Sequence, residues 1–182
     1  MLIYQPENHA TVIEKVHTLL GERLLGHEEK SHYFQFRVMA QDAKSLIRFL
    51  KEDSTLGFTH FIDLTCVDYS QYPILQPGRF AIVVTLLSAT LGIKVQVKAF
   101  VSADEPRIPS LTDLFEGAGW TEREVWDLYG VEFLGHPDLK RILMPDDYEG
   151  HPLRKDYPLK GRGERGNFPV YHATQVKPVG DN

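Results

Sequence analysis

Apolar residues near the N-terminus recur at helical spacing, with polar residues between them. Over residues 8–20 this pattern predicts an amphipathic helix that ends at Gly21. Residues 32–39 alternate between polar and apolar positions, which predicts a strand. Asp42 then has the side chain and the position of an N-cap for a second helix. The chain is therefore expected to begin with helix, strand and helix.

Three later segments have the length of strands: 58–67, 79–87 and 92–101. The first places its apolar side chains on one face: Phe58, Ile62, Leu64 and Cys66. The second is apolar on both faces, which predicts a central position, and the third alternates cleanly. The links are too short for crossover helices. With 32–39, these segments predict an α+β fold in two layers, a mainly antiparallel four-stranded sheet with helices packed on it.

Two helix starts follow the strands. Ser110 and Asp113 form the first, and Thr121 and Glu124 form a capping box, in which each side chain bonds a backbone N–H at the start of the helix. Gly130 is the expected end of this second, short helix.

The pattern changes after residue 135. Six prolines occur between there and the C-terminus, at positions 137, 145, 152, 158, 169 and 178. A segment so interrupted cannot satisfy its own backbone as helix or sheet, so it is either disordered or laid across another surface. We therefore predict an α/β globular domain over residues 1–135 and an extended, partner-wrapping C-terminal segment over 136–182.

Composition and charge narrow the function classes. The 182 residues carry a formal net charge of −5, which argues against general nucleic-acid binding. The single cysteine, Cys66, excludes an intramolecular disulfide framework and a four-cysteine metal site. The N-terminus has no signal-peptide pattern, and no stretch approaches the ~20 apolar residues of a spanning helix. Membrane association is expected only through partners.

Two histidines are the first candidates for chemistry. His136 and His151 each precede a proline, and Asp138 and Asp156 lie nearby. Histidine with carboxylate suits zinc binding or acid–base work. The two histidines are well separated in a proline-interrupted segment, and no third ligand has a recognisable spacing. Hydrogen-bonded structural histidines are favoured, and a small metal-dependent hydrolase using both is the alternative from another class.

The carboxylates of the short helix are the second candidates. Glu122 and Glu124 fall in a predicted first turn, where carboxylates cap N–H groups and meet the positive end of the helix dipole. Arg123 and Asp127 are expected to pair at i,i+4. Cys66 lies in an apolar strand pattern and is expected to be a buried, unreactive thiol. All these residues favour structural roles over catalysis.

A basic cluster follows in the C-terminal segment: Arg154, Lys155, Lys160, Arg162 and Arg165. Acidic residues are interspersed, and a mixed-charge segment more often pairs with a protein surface than with phosphate. No phosphate-binding loop or dinucleotide fingerprint is present. The residues alone favour an interaction module over an enzyme, and a free-standing binding module stays open.

The segment Glu122-Arg-Glu-Val-Trp-Asp-Leu-Tyr-Gly-Val-Glu-Phe-Leu-Gly-His-Pro-Asp-Leu-Lys-Arg-Ile-Leu resembles the signature of the thirty-kilodalton or C subunit family of respiratory complex I. The positions in register are Glu122, Arg123, Glu124, Asp127, Leu128, Tyr129, His136, Lys140, Ile142 and Leu143. The block that starts at Glu149, Glu-Gly-His-Pro-Leu-Arg-Lys-Asp-Tyr-Pro-Leu, is similar to the family's second block.

This resemblance implies a structural subunit of the peripheral arm of a proton-translocating NADH:quinone oxidoreductase. Such a chain binds no FMN, iron–sulfur cluster or quinone itself. It packs against the larger subunit that forms the quinone pocket and against cluster-bearing subunits, which carry electrons from NADH through FMN and the clusters to quinone. The expected place is the cytoplasmic face of the bacterial inner membrane, or the matrix or stromal equivalent. The homologous subunit of a membrane-bound hydrogenase or formate hydrogenlyase-type complex shares the motif and is the nearest alternative.

The resemblance also implies that no residue here is catalytic, cofactor-binding or metal-binding. The family positions are expected to serve buried pairing and interfaces: Glu122, Arg123, Glu124, Asp127, Gly130, Gly135, His136, Pro137, Leu139, Arg141, Gly150, His151, Pro152, Arg154, Asp156 and Pro158.

Overall fold

A computed structural model describes residues 6–30 and 33–163. The regular elements in these two ranges are three helices, seven strands and a 3₁₀ turn (Gly21–Arg23). In chain order they are α1 (Pro6–Leu20), β1 (Gly26–Lys30), β2 (Tyr33–Met39), α2 (Ala40–Glu52), β3 (His60–Asp68), β4 (Phe80–Ser88), β5 (Ile93–Val101), β6 (Arg107–Pro109), α3 (Ala118–Tyr129) and β7 (Glu132–Leu134).

The main sheet has five strands in the order β1-β2-β5-β4-β3. Only β2 and β5 run parallel, and the other neighbours are antiparallel. The predicted α+β class is confirmed. Strand β1, a fifth, edge strand, was missed because its sequence Gly-His-Glu-Glu-Lys has no apolar face. The short β6 and β7, which pair in parallel, were missed as well.

For one residue of β3, the predicted face of the sheet is wrong. The pairing of β3 with β4 shifts between Phe61 and Asp63, as at a β-bulge. Such an irregularity moves a side chain to the opposite face of the sheet. Ile62, predicted on the buried face with Leu64 and Cys66, is therefore 45% exposed.

The hydrophobic core lies between the helices and one face of the main sheet. Helix α2 contributes Ala43, Leu46, Ile47 and Leu50, all buried. The facing sheet residues include Phe34, Phe36, Val95, Val97 and Val84. Each such side chain contributes about 1.5–3 kcal/mol when fully buried. Strand β4 is an interior strand, but β5 is the middle one.

Three predicted helix starts are wrong, because their side chains make other contacts. Helix α2 begins at Ala40 without a side-chain cap. Asp42 lies inside its first turn and pairs with Arg23 (Nη1 to Oδ1, 2.9 Å). The stretch after Ser110 is a turn, in which the N–H groups of Leu114 and Phe115 both bond the carbonyl of Leu111.

Helix α3 begins at Ala118, three residues before the predicted capping box. Thr121 donates to the carbonyl of Ala118 (3.0 Å), so its hydroxyl is not a cap. The predicted end is confirmed: Gly130 is the C-cap, in the left-handed region with φ +71°. None of the helices in residues 6–30 and 33–163 is long and apolar enough to cross a membrane.

Candidate functional site

After β7, residues 136–163 form neither helix nor strand and fold back over α3 and the β3–β4 end of the sheet. We name residues 136–163 the strap. Single backbone turns shape it, such as Tyr148 N–H to Pro145 O, Tyr157 N–H to Arg154 O and Gly161 N–H to Pro158 O. The rest of the predicted C-terminal segment, including Arg165 of the basic cluster, lies outside the described residues.

The first anchor of the strap is the carboxylate of Asp127 on α3, whose side chain is inaccessible to solvent. Its Oδ2 accepts the backbone N–H groups of Ile142, Leu143 and Met144 at 3.1, 2.8 and 2.9 Å. Its Oδ1 accepts Nη1 of Arg141 at 2.6 Å. Burial alone would raise the pKa of Asp127, but these donors outweigh it and hold the pKa below its usual value.

Arg123, one turn earlier on α3, binds the adjacent stretch of strap backbone. It donates to the carbonyls of Lys140 (3.1 Å) and Arg141 (3.0 Å). Its guanidinium lies 5.0 Å from the ring of Trp120. The predicted pairing of Arg123 with Asp127 is therefore wrong. At i,i+4 both face the strap, one binding its carbonyls and the other its N–H groups.

The second anchor is the C-terminal end of α3. The last carbonyls of a helix have no intrahelical donors, and cationic groups are favoured beside them. Here the strap supplies the donors: His151 Nδ1 to Asp127 O (2.9 Å), Leu153 N–H to Leu128 O (3.1 Å), Arg154 Nε to Tyr129 O (2.5 Å) and Arg154 Nη2 to Gly130 O (3.4 Å). The strap thus completes the helix.

Gly130 is required at this junction for two reasons. Its left-handed backbone is strained for other residues. A Cβ there would also overlap Nε2 of His151 and Nη2 of Arg154. Burial lowers the pKa of both the His151 ring and the Arg154 guanidinium.

The third anchor lies at the β3–β4 end of the sheet. Asp68, with no solvent-accessible side chain, pairs with Arg79 through Nε (3.2 Å) and Nη2 (3.0 Å). Its Oδ2 also accepts the backbone N–H of Lys155 at 2.9 Å. Arg79 in turn pairs with Asp156 at 2.9 Å. Burial works against ionisation of Asp68, yet Arg79 and the N–H groups of Lys155 and Ser70 hold its pKa at about 2.

Sequence reasoning missed Asp68 and Arg79. The available signal was weak: Asp68 ends a strand and Ser70 follows two residues later, which is typical of a side-chain-bonded turn. That turn exists, with Ser70 N–H bonded to Asp68 Oδ1 at 2.9 Å. The contact with the strap joins two residues that are 87 positions apart, so the local sequence around Asp68 does not indicate it.

Glu122 is fully buried and holds α3 against the turn before it. It accepts the hydroxyl of Ser110 (2.7 Å) and the N–H of Leu111 (2.6 Å). Burial raises its pKa, and those two hydrogen bonds oppose the rise. The prediction that Glu122 and Glu124 cap a first turn is wrong, since Glu122 is the fifth residue of α3 and Glu124 is exposed.

His136 and His151 are not brought together. His136 donates from Nε2 to the carbonyl of Gly119 (3.1 Å) and accepts the N–H of Asp138 at Nδ1 (3.0 Å). His151 bonds the carbonyl of Asp127, eight residues beyond Gly119 on α3, so the two anchor points are roughly 12 Å apart at the rise of a helix. Within residues 6–30 and 33–163, no three His, Cys, Asp or Glu side chains cluster for a metal.

The remaining predicted positions lie in the strap and just before it. Gly150, with φ +109°, lies under Tyr157, whose hydroxyl is 2.7 Å from that of Tyr148. The others are the left-handed Gly135, the core-packed Leu139, and Pro137, Pro152 and Pro158, each in or beginning a turn. Cys66 is buried as predicted, and burial raises the pKa of its thiol.

Known proteins resemble this chain over most of its length. The family described as "Respiratory-chain NADH dehydrogenase, 30 Kd subunit" matches residues 36–163. The NADH-quinone oxidoreductase C subunit of Sinorhizobium medicae is 42% identical over 141 residues, 78% of this chain and 68% of that protein. The C subunit numbered 1 of Rhizobium meliloti is 47% identical over 122 residues, 67% and 58%. The C subunit of Ralstonia nicotianae is 40% identical over 173 residues, 93% and 86%. The chain thus spans less than two thirds of some relatives and most of others.

Two solved structures share the fold. The trypsin-resistant fragment of Nqo5 superimposes with a TM-score of 0.63 and 30% identity, covering 72% of this chain and 99% of the fragment. A chain of the membrane-bound sulfane sulfur reductase, an archaeal respiratory membrane complex, gives a TM-score of 0.71 at 22% identity and covers 96% of both.

Proposed function

The chain belongs to the family of the 30 Kd subunit of respiratory-chain NADH dehydrogenase, and from that premise we propose that it serves as a non-catalytic structural subunit, the C subunit, of an NADH-quinone oxidoreductase. Electrons pass from NADH to quinone in other subunits. This chain braces those subunits against one another.

The anchoring of the strap carries this proposal. The ionised and buried groups of the site, Asp127, Arg141 and Asp68, bind backbone N–H and carbonyl groups or one another. Meanwhile the strap holds Leu143, Leu153 and Leu159 outward, Leu159 being fully exposed. These exposed leucines give the strap apolar area that another polypeptide could cover, while its polar groups are already bound to the head.

The partners we propose are the other peripheral-arm subunits, above all the larger subunit of the quinone pocket and the cluster-bearing subunits. These would carry FMN and the iron–sulfur clusters, and this chain would carry neither. Through them the chain would lie at the cytoplasmic face of a bacterial inner membrane, or its matrix or stromal equivalent. Family membership and the relatives named above support this arrangement.

The division into a globular head, residues 1–135, and a partner-wrapping segment, residues 136–182, stays a proposal of the same kind. The solved Nqo5 fragment is trypsin-resistant and corresponds to 72% of this chain, which supports a head that folds as a unit. The boundary near residue 135 also coincides with the point where regular elements end, at β7.

The test is to purify the oxidoreductase through a tag on this chain, with Arg154→Ala and, as a control at an exposed cation of the strap, Lys160→Ala. Arg154→Ala removes the donors to Tyr129 and Gly130, so we expect subunits to be lost and the complex to melt at lower temperature. Lys160→Ala should behave as wild type. Normal assembly of Arg154→Ala would contradict the interface role.

A second measurement addresses the chemistry. The purified chain alone should bind no stoichiometric FMN, iron or zinc and reduce no quinone, and partners should include an FMN-binding subunit. A nickel site in the large partner would indicate the hydrogenase alternative. Zinc bound stoichiometrically and lost in His136→Ala would favour the hydrolase.

A further inference from the structure

Within residues 6–30 and 33–163, helices cover one face of the main sheet and leave the other without a helix. Odd-numbered residues of β2 and β4 and even-numbered residues of β5 point to the other face, as the register shows. At one end the β3–β4 loop covers it, with Tyr69 packed 6.3 Å from Phe100. The rest, which we name the open face, is covered by no element of residues 6–30 and 33–163. Most of its side chains are half-buried or exposed.

The open face is basic although the chain is acidic overall. Its cations are Lys30, Arg37, Lys94 and Lys98, and its anions are Glu28 and Asp63. The excess is two positive charges (four minus two), against a net −5 for the chain. The distribution of charge is therefore polarised between this face and the remaining surface.

The two lysines on the middle strand stand outside the ion pairs of the sheet. Within the described residues neither lysine lies within ion-pair distance of a carboxylate, although the pKa of Glu28 is lowered by Lys30 and, in part, by the charge of Lys98. Lys98 Nζ lies over the ring of Tyr69 at 5.0 Å. Four residues along a strand separate them by about 13 Å. Both charges thus lie on the central line of the face, where a bound surface would meet them first.

Arg37 adds a partly exposed cation to the open face beside the two lysines. Its Nε is buried and has no hydrogen-bond partner among the described residues. Its guanidinium lies against Gly26, where a Cβ would come within 2.7 Å of Nη2. The nearest carboxylate, Glu28, is 3.8 Å from Nη1. The Arg37 side chain as a whole is 37% exposed, so a partner's carboxylate can reach the guanidinium but not the buried Nε.

Between these cations runs a ladder of uncharged polar side chains. Gln35 Nε2 donates to Gln96 Oε1 at 2.9 Å, and Gln96 Nε2 lies 3.4 Å from Thr85 Oγ1. Half-buried Val83 and Leu87 flank the ladder. Fixed amides and half-buried aliphatic side chains thus lie between the cations of the open face.

We propose that the open face docks an acidic surface of a neighbouring subunit, an inference that rests on the proposed function and extends it. Charge complementarity with Lys94, Lys98 and Arg37 selects that occupant. An anionic membrane fits less well, because Glu28 and Asp63 share the face and the chain as a whole is negative. The strap and the open face then contact partners on opposite sides of the sheet.

The test compares tagged complexes carrying Lys94→Glu/Lys98→Glu, the neutral Lys94→Gln/Lys98→Gln, and Arg48→Glu as a control. Arg48 has an exposed side chain on α2, on the covered side of the sheet, where its pairs with Asp113 and Glu52 contribute little. The readout is the ratio of partner subunits to this chain after washes at rising NaCl. Circular dichroism of each full-length chain verifies folding.

We expect charge reversal to lower the partner ratio by about tenfold or more, since like charges facing each other at an interface are costly. The neutral double variant should give a partner ratio between those of the charge reversal and wild type. That ratio should not fall as NaCl rises, because the attraction that salt screens in wild type is absent. Arg48→Glu should match wild type. Equal partner ratios for all variants would overturn the inference while leaving the proposed function intact.

Two other outcomes are also decisive. If wild type itself brings down no partner subunits, the proposed function fails and the inference with it. Flotation of the full-length chain with vesicles of phosphatidylcholine and phosphatidylglycerol tests the membrane. Binding that wild type shows and the charge reversal loses would overturn the inference in favour of an anionic lipid surface.

Discussion

Asp127→Asn removes the charge at the centre of the first strap anchor with almost no change in volume. In the wild type, one carboxylate oxygen accepts three backbone N–H groups and the other binds Arg141. An asparagine presents N–H groups at one of those positions. It either faces Arg141 with a donor or turns that donor toward the three strap amides, so neither rotamer restores the wild-type contacts.

The expected loss follows from the burial of the pair. Asp127 has no accessible side-chain surface and Arg141 only 13%. Removing one partner of a buried pair costs about 3–5 kcal/mol, because the other charge is left uncompensated. Since the strap contains no helix or strand in residues 136–163, we expect it to detach locally before the head unfolds.

Limited trypsin digestion with mass spectrometry measures that detachment. The strap offers cleavage sites after Lys140 and Arg141, whose carbonyls are bound by Arg123. A loss of about 3 kcal/mol raises the open population, and the cleavage rate with it, roughly a hundredfold. Asp147→Asn, an identical change on an exposed strap side chain, should cut at the wild-type rate. If Asp127→Asn were cut no faster than Asp147→Asn, the carboxylate of Asp127 would not be what holds the strap on α3.

Gly130→Ala should lower the free energy of unfolding by about 2–4 kcal/mol in urea titrations, since it adds overlap with the strap to left-handed strain. Gly135→Ala, with φ +84° and open space around it, should show only the strain, about 1 kcal/mol, and an equal loss in both variants would contradict the overlap. Asp68 has its pKa lowered from 3.8 to about 2, so its stabilisation is present above pH 3.8 and is lost as the pH falls toward 2. Asp68→Asn should therefore flatten the acid side of the curve of urea midpoint against pH, and an unchanged slope there would count against this role. Glu122 has a raised pKa, so its contribution is full below 4.5 and falls as the pH rises through the folded value. Glu122→Gln should remove that fall in the same titration, and persistence of the full drop would assign it to another group.

The sequence was sufficient for elements whose own residues face the core. Strand β5 and helix α2 repeat their apolar residues at the period of a strand and of a helix, and both elements were predicted, although α2 begins at Ala40, before the predicted cap at Asp42. Strand β1 is held by its backbone bonds to β2 and has no such period. Predicted caps failed for one reason: Asp42 and Thr121 use their oxygens elsewhere, and local pattern does not reveal that competition.

The candidate site, like the fold, could be predicted from the sequence only in part. The residues from Glu122 to Asp156 fall in two blocks that resemble a known family, so their positions could be named in advance. Their roles could not, because the contacts of Asp127 with residues 141–144 depend on how the strap folds back. Asp68 and Arg79 lie outside both blocks, and only the fold brings them to Lys155 and Asp156.

The dependence of α3 on donors from the strap has a consequence during synthesis. The carbonyls of Asp127 and Tyr129 bond to His151 and Arg154, which are synthesised 24 and 25 residues later. A ribosome needs about one to five seconds to add that many residues. A twelve-residue helix is marginal by itself, so its C-terminal end would fray in the nascent chain. The C-terminal end of α3 is therefore capped only after the strap has been synthesised, and during that interval its last carbonyls are open to other donors, such as those of chaperones or partner subunits.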